Sequence, residues 1–169
     1  MIYPIVKFGN PILEKPSETV TVFDEELQKL IDDMFESMYV AHGVGLAAPQ
    51  IGIGRRIAVV DVTFKEDPDA KLVLINPEII HAEGRHSQSE GCLSIPDFRE
   101  NVTRPNKVTI RAQDVYGNIF EKTGEDLLAR AFLHETDHLN GKLYINHISG
   151  LKRDLMKRKI RKLVKAGEW

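Results

Sequence analysis

The sequence predicts an α+β fold, in which helices and strands occupy separate stretches of the chain. Three segments carry apolar residues at helical spacing, and runs rich in β-branched residues lie between the first and the second of them. The resulting order is helix, several strands, helix, helix, without the strand–helix alternation that builds a parallel sheet. The 169 residues suffice for a sizeable core, so residues 1–169 are expected to form one domain.

The first helix is predicted from about Asp24 to Ala41, because its apolar residues recur three and four positions apart. Either Asp24 or Thr21 is expected to cap its first turn. A glycine-rich loop, Gly43–Gly54, follows this helix. The loop resembles a dinucleotide-binding pattern, but a helix precedes it where that pattern requires a strand. We therefore expect its glycines to permit close approach to a peptide.

The middle of the chain is predicted to form strands. β-Branched residues are frequent in four runs, and the last two flank a turn at Val115-Tyr116-Gly117 that is typical of a hairpin. The four predicted strands are Arg56–Val62, Leu72–Ile75, Val108–Asp114 and Asn118–Thr123.

Two further helices are predicted in the last third of the chain. Glu125–Asn140 is expected to end at Gly141, a residue type common just after helices. Gly150–Ala166 is the other, and its expected packing side consists of Leu151, Leu155, Met156, Ile160 and Leu163.

The charge of the chain is unevenly distributed. The formal net charge is −2, but residues 149–169 carry eight Lys or Arg against Asp154 and Glu168, a balance of +6. The rest of the chain therefore carries −8, and a basic helix on an acidic body suggests a function of its own for residues 149–169. No apolar stretch is long enough to span a bilayer, and no signal peptide is recognised, so no membrane association is expected.

The strongest local motif is His134-Glu135-Thr136-Asp137-His138. Two histidines four residues apart on a helix lie on one face and can bind one metal ion. Glu135 lies beside that face, where it can take a proton from a water that the metal activates. Leu127 and Ala131 continue the stripe of His134 and His138, so we expect the histidines to point inward.

A catalytic metal normally has three protein ligands, and the third is not obvious from spacing. Position 144 is Tyr where one protease pattern has a third histidine, and Glu168 is the only glutamate after Glu135. Cys92 is the only cysteine, which excludes an intrachain disulfide and suits a reducing compartment. A thiolate is a good ligand for a transition metal, whereas the alternative for Cys92 is a small buried apolar residue.

Three segments together resemble the signatures of the peptide deformylase family. They are Gly43-Val44-Gly45-Leu46-Ala47-Ala48-Pro49-Gln50, Glu90-Gly91-Cys92-Leu93-Ser94 and His134-Glu135-Thr136-Asp137-His138, in the family order and spacing. The resemblance implies antiparallel sheets packed around a central helix that carries the HExxH motif, with an N-terminal and a C-terminal helix. It also implies a metal-dependent hydrolase that removes the N-formyl group from the N-terminal methionine of newly synthesised proteins.

The resemblance also assigns roles to residues. Cys92, His134 and His138 are the implied ligands of one divalent metal ion, typically Fe²⁺, with Zn²⁺, Ni²⁺ or Co²⁺ as alternatives. Glu135 is the implied base, while the backbone N–H of Leu93 and the side-chain amide of Gln50 would stabilise the oxyanion. Glu90 and Arg104 are expected to form a supporting ion pair.

Six further residues are expected to bind the substrate. An apolar slot for methionine is expected beside the metal, and the substrate main chain is expected to pair with the loop in strand fashion. Arg130 is expected at the pocket mouth, where it would affect preference for the second residue of the peptide, and Arg99 is expected to contact the peptide further along. The six residues are Val44, Gly45, Leu127, Arg130, Ala131 and Arg99.

The resemblance implies nascent formylmethionyl peptides as substrates and the bacterial cytoplasm as the location, with an organelle as the alternative. A monomer is expected, and the basic helix is expected either to be a solvated structural helix or to dock on the ribosome. Two rival functions are a protease that cuts internal peptide bonds and a metal-stabilised binding module without activity. The protease would need a further downstream ligand, and the binding module would have no need of Glu135 or Gln50.

Overall fold

The computed structural model describes residues 1–169 and contains three α-helices and seven strands. The helices are α1 (Glu25–Val40), α2 (Asp126–Leu139) and α3 (Gly150–Lys165). The strands are β1 (Gly45–Ala47), β2 (Ile57–Val60), β3 (Leu72–Glu83), β4 (His86–Cys92), β5 (Ile95–Arg104), β6 (Lys107–Gln113) and β7 (Ile119–Glu125).

The strands form two antiparallel sheets. Five of them pair in the order β1-β2-β3-β6-β7, and β4 and β5 form a separate hairpin. Helix α2 contacts all five strands of the larger sheet, while α1 packs on β1 and β2. The predicted α+β class, with antiparallel sheets around a central helix that carries the HExxH motif, is confirmed.

Helix α1 begins and ends within one residue of its predicted bounds. The Asp24 carboxylate accepts a hydrogen bond from the Leu27 backbone N–H at 3.0 Å, which satisfies one of the free donors of the first turn. Of the two expected caps, Asp24 is therefore the one used. The apolar face of α1 is buried against the first strands, and the buried residues on it are Leu27, Ile31, Met34, Phe35 and Met38.

The glycine-rich loop contains a short strand that the sequence did not indicate. Gly45 pairs with Val60, so β1 extends the sheet by one edge strand, and a 3-10 turn at Ala48–Ile51 follows. Glycine has a low preference for strands, and pairing with β2 supplies the order that local preference does not. The strand matters for the site, because one side of β1 remains at the edge of the sheet.

Strand β3 is longer than predicted. It was expected to end at Ile75, but it continues to Glu83 after an irregularity in register beyond Ile75. Asn76 has φ 51°, and its side chain accepts from the Val20 N–H and donates to the Val20 carbonyl, both at 2.9 Å. These long-range hydrogen bonds stabilise the irregular backbone at Asn76, and β3 continues beyond this irregularity.

The β4–β5 hairpin was not predicted. Cys92 pairs with Ile95 around a two-residue turn at Leu93–Ser94. Strand β4 reads HSQSEGC and is mostly exposed, so it lacks the alternation that makes a strand recognisable in sequence. The hairpin places Cys92 at its tip, next to α2.

Helix α3 begins at the predicted Gly150 and ends at Lys165, one residue before the predicted end, but it packs on a different part of its apolar side. Met156 and Ile160 are buried, whereas Leu151 is 73% exposed and Leu155 is 47% exposed. The expectation that Leu151 and Leu155 pack on the body is therefore wrong. Helix α3 packs on the rest of the protein along one narrow strip of its surface, and only the residues on that strip are buried. No helix combines the length and the apolar character that a membrane crossing would need.

Candidate metal centre and active site

Three side chains of the types that bind metals converge between the β4–β5 hairpin and α2. Cys92 ends β4, and His134 and His138 lie one turn apart on α2. The Cys92 Sγ lies 3.3 Å from the His138 Nε2, which lies 3.2 Å from the His134 Nε2. The structure thus brings together the three residues named as ligands, with their donor atoms within 4.8 Å of one another.

Glu90 orients His134. Its Oε2 lies 2.6 Å from the His134 Nδ1. Burial alone would raise the pKa of the Glu90 carboxyl, but the hydrogen bonds from His134 and Arg104 outweigh burial and hold it well below its usual value. Because the ionised Glu90 only accepts, the His134 Nδ1 donates in this contact, and Nε2 is the ring nitrogen left to ligate a metal.

Two arginines neutralise Glu90. Arg104 donates to both Glu90 oxygens at 2.8 Å and to Asp137 at 3.0 Å. Arg130 donates to Glu90 at 2.9 Å and to the Val102 carbonyl at 3.0 Å. The Arg104–Glu90 pair was expected, but the place of Arg130 was not. Arg130 lines the cavity, yet it is only 7% exposed, and its guanidinium is held in this network rather than at the pocket mouth.

The donor set fits a transition-metal ion. One thiol and two imidazoles suit Fe²⁺, Zn²⁺, Co²⁺ and Ni²⁺, and three protein ligands are the number typical of catalytic sites. Burial lowers the pKa of His138 well below its usual value, and the adjacent His134 acts in the same direction, so the ring stays neutral and able to ligate. The His134 and His138 Nε2 atoms face each other at 3.2 Å, an arrangement that a shared cation stabilises.

Glu135 lies beside the three ligands and is only 3% exposed. Burial raises the pKa of its carboxyl to about 7, which is a suitable range for a group that both takes and returns a proton near neutral pH. Its Oε1 is buried without a hydrogen-bond partner, so it is free to accept from a water or a substrate. A Cβ atom added to Gly45 would lie 2.5 Å from the Glu135 Oε2, which explains glycine at position 45.

The two expected oxyanion donors both lie next to Cys92. The Gln50 Oε1 accepts from the Ala47 N–H at 3.0 Å, which directs its Nε2 toward Ser94 Oγ at 3.2 Å and Cys92 Sγ at 3.5 Å. Leu93 is the first turn residue after Cys92, and its side chain packs over Gly43.

A cavity of about 590 Å³ is lined by two of the three candidate ligands, Cys92 and His134, and by Glu135. Ala131 is buried in its wall, whereas Leu127 is 47% exposed, so the inward stripe predicted for α2 holds for Ala131 and the histidines but not for Leu127. Leu127 lies in the first turn of the helix. Arg99 also lines the cavity and donates to Ser89 Oγ at 3.0 Å. All six predicted substrate residues line it: Val44, Gly45, Leu127, Arg130, Ala131 and Arg99.

Sequence reasoning missed the part that Arg130 and Asp137 play in supporting the site. Asp137 accepts from Arg104 and also lies 2.8 Å from His147 Nε2. A signal was present, because Arg130, His134 and Asp137 are four and three residues apart and therefore share a helix face. Charged residues on the face of a buried helix indicate an ion-pair network.

An α+β fold with three converging candidate metal ligands, a buried carboxylate beside them and an adjoining cavity is typical of a metal-dependent hydrolase. Residues 2–154 match the polypeptide deformylase family. The peptide deformylase of Acidobacterium capsulatum is 63% identical over 169 residues, which cover 100% of this chain and 99% of the relative. The peptide deformylase of Heliobacterium modesticaldum is 50% identical, over 87% of this chain and 94% of its own.

Solved structures agree with these relatives. A peptide deformylase from Legionella pneumophila superposes with a TM-score of 0.91 at 44% identity, covering 99% of this chain and 98% of its own. One from Plasmodium falciparum gives a TM-score of 0.89 at 36% identity, with 96% of each chain covered. The chain belongs to the peptide deformylase family.

Proposed function

We propose that this protein removes the formyl group from the N-terminal methionine of newly synthesised proteins and releases formate. Deformylation of N-formylmethionyl peptides is the function of its family. The observation that carries the proposal is the convergence of Cys92, His134 and His138 beside the buried carboxylate of Glu135.

Cys92, His134 and His138 hold one divalent metal ion, natively Fe²⁺, with Zn²⁺, Ni²⁺ or Co²⁺ able to take its place. When bound, the metal acts as a Lewis acid, which makes water a stronger acid and polarises the formyl carbonyl. Glu90 keeps the His134 ring in the orientation that ligation needs, through the 2.6 Å contact with Nδ1.

Glu135 moves the proton. Its unpartnered Oε1 accepts the proton of the attacking water, and the carboxyl then returns it to the nitrogen of the departing amine. A pKa of about 7 balances these two tasks, because the group is neither fully ionised nor fully protonated near neutral pH.

Gln50 and Leu93 stabilise the negative charge that develops on the formyl oxygen. The Gln50 Nε2 is already directed toward Cys92 by its bonds to Ala47 and Ser94, so little reorganisation is needed as the charge develops. The backbone N–H of Leu93 supplies the second donor. Loss of one such donor typically costs about 2.7–4 kcal/mol in the transition state.

The substrate peptide binds along the edge strand β1, with the Gly45 backbone pairing to its main chain. Val44, Leu127 and Ala131 line the cavity with apolar surface that suits the unbranched methionine side chain. Arg99 contacts the peptide further along. Arg130 acts on the substrate indirectly, because its guanidinium is engaged with Glu90.

Deformylation is favoured over cleavage of internal peptide bonds. A protease with an HExxH helix would take a third ligand downstream of the motif, whereas here Cys92 lies upstream and its Sγ is 3.3 Å from the His138 Nε2. The deciding experiment purifies the protein without oxygen and compares formyl-Met-Ala-Ser with a peptide blocked at both ends. We expect formate from the first and no cleavage of the second. Cleavage of the blocked peptide without formate release would overturn the proposal.

The basic helix α3 docks on the RNA surface of the ribosome in the bacterial cytoplasm, where formylated chains emerge. Its exposed face forms a cleft of about 320 Å³ that suits phosphate groups and is lined by Arg158, Arg161, Lys162 and Lys165. Residues 1–169 act as one domain and as a monomer in this proposal.

The docking proposal is tested by changing those four residues to Gln, which leaves the buried Ile160 in place. We expect weaker co-sedimentation with ribosomes at low salt and unchanged hydrolysis of short peptides. A matched variant changes four exposed lysines outside α3 to Gln, so it has the same net charge as the α3 variant. These four are Lys7, Lys15, Lys122 and Lys142. Equal loss in both variants would mean that total charge, rather than α3, governs the association.

A further inference from the structure

The chain reverses direction directly after α3. Gly167 has φ +71°, and its N–H donates to the Val164 carbonyl at 3.1 Å. The Glu168 N–H donates to the Leu163 carbonyl at 2.8 Å. This pair of hydrogen bonds around a left-handed glycine is the Schellman motif, which ends a helix and turns the chain back. The motif brings Trp169 onto the body of the protein.

Trp169 makes two specific contacts there. Its indole Nε1 donates to the Phe8 carbonyl at 2.8 Å. Its ring meets the Phe98 ring edge to face, with centroids 6.1 Å apart and an interplanar angle of 70°. Both contacts belong to the cluster that α3 forms with the hairpin, in which Ile95 and Tyr144 are fully buried.

Both partners of Trp169 adjoin the active site. Phe98 lines the 590 Å³ cavity, as do Ile95 and Arg99 of the same strand. The Phe8 N–H donates to the Ser94 carbonyl at 2.8 Å, in the turn that follows Cys92. Trp169 therefore contacts β5 directly and the hairpin turn through Phe8, and it does not itself line the cavity.

We propose that Trp169 is a positioning residue, which holds Phe98 and the hairpin turn in place and so sets one wall of the substrate cavity. The inference rests on the proposed function for its effect on substrate binding. The family match ends at residue 154, so Trp169 lies outside it, whereas its partners Phe8 and Phe98 lie within it. Trp169 acts through Phe98 and Phe8, and it touches neither the metal ligands nor Glu135 in this role.

The kinetic test compares Trp169→Ala, Trp169→Phe and the control Val164→Ala, whose residue is 57% exposed on α3. For formyl-Met-Ala-Ser we expect Trp169→Ala to raise KM about three- to tenfold, because only part of the energy lost with the aromatic pair and the hydrogen bond is transmitted to the cavity wall. Its kcat and metal content should stay close to wild type. Trp169→Phe keeps an aromatic ring but loses the N–H donor, so its KM should be intermediate.

A merely structural role would lower thermal stability and leave KM unchanged, so a wild-type KM in Trp169→Ala overturns the proposal. Hydrogen exchange of residues 95–99 gives a second readout that needs no turnover. We expect faster exchange there in Trp169→Ala than in Val164→Ala, and equal exchange also overturns the proposal. If the wild-type protein releases no formate, the proposed function fails, while the exchange result still decides whether Trp169 orders the wall.

Discussion

Glu135 is held in a setting that makes a carboxylate basic. It lies between two histidine positions on α2, is almost fully buried, and has one oxygen without a partner. Its pKa of about 7 results mainly from burial, since removal of water from the carboxylate disfavours the charged form. These features distinguish Glu135 from the neighbouring Glu90, which two arginines and His134 keep ionised.

We expect Glu135→Gln to lower kcat by about 10²–10⁴-fold, because the amide cannot accept the proton of the attacking water. The size of the side chain is unchanged, so the metal content and the melting temperature should remain near wild type. Formate release and metal analysis on the same preparation provide the check. Deformylation at close to the wild-type rate would show that another group is the base.

Cys92→Ala should reduce metal content and activity together, because it removes one of the three proposed protein ligands. The measurement is metal content after dialysis, with Ser87→Ala on the same strand as a control that leaves the three ligands intact. Full metal occupancy in the Cys92 variant would mean that the third ligand lies elsewhere.

At the scale of elements, the edge strand β1 and the helix α2 approach each other closely at the active site. Gly45 of β1 faces the Glu135 side chain of α2, and a Cβ atom at position 45 would require that side chain to move. The same glycine exposes the backbone that is proposed to pair with the substrate. The position therefore combines two demands, close packing of the strand on α2 and access for a peptide.

Gly45→Ala should reduce kcat/KM by about 10²-fold with little effect on folding. The added Cβ would lie 2.5 Å from the Glu135 Oε2, and the flexible end of Glu135 is what must move. Displacement of a catalytic group by about 1 Å typically lowers the reaction rate by about 10²-fold. Gly54→Ala is a matched control, since an added Cβ there meets nothing within 4 Å. Equal activity of the two variants would contradict the close approach.

At the scale of the whole molecule, Asp61 joins the first helix to the sheet. It is fully buried at the end of β2 and accepts hydrogen bonds from the Tyr39 hydroxyl, from Thr63 and from the Lys65 N–H. Its own N–H donates to the Val44 carbonyl beside β1. Burial alone would raise the pKa of Asp61, but the bonds from Tyr39 and Thr63 outweigh burial and lower it.

Asp61→Asn should reduce the free energy of unfolding at neutral pH by about 1–3 kcal/mol, as charge-assisted hydrogen bonds are lost. Because the folded-state pKa of Asp61 is lowered, its contribution is complete above the unfolded value of 3.8 and is lost as the pH falls below it. The difference in the free energy of unfolding between wild type and Asp61→Asn should therefore become smaller below about pH 4. Urea unfolding at several pH values measures this, with the exposed Asp69→Asn as control. If the difference in the free energy of unfolding did not change with pH, the charge of Asp61 could not be its source.

Much of the fold was evident in local sequence. Helical periodicity gave α1, α2 and α3 within about one residue at each end, and the turn at Val115-Tyr116-Gly117 gave the β6–β7 hairpin. Strand β1 and the β4–β5 hairpin were missed, because glycine and polar residues there lack a period-two pattern. Strand β1 is ordered by its pairing with β2, and β4 and β5 are ordered by pairing with each other.

The sequence by itself determined the class of fold, the HExxH helix and, through three motifs in order, the family. Only the tertiary structure decided that Arg130 secures Glu90 from 40 residues away and that Trp169 reaches Phe8 across 161 residues. Such contacts leave no periodic signal, because they depend on how separate elements pack. Periodicity and caps arise from interactions within a few residues, whereas the walls and charges of this site arise from residues that only folding brings together.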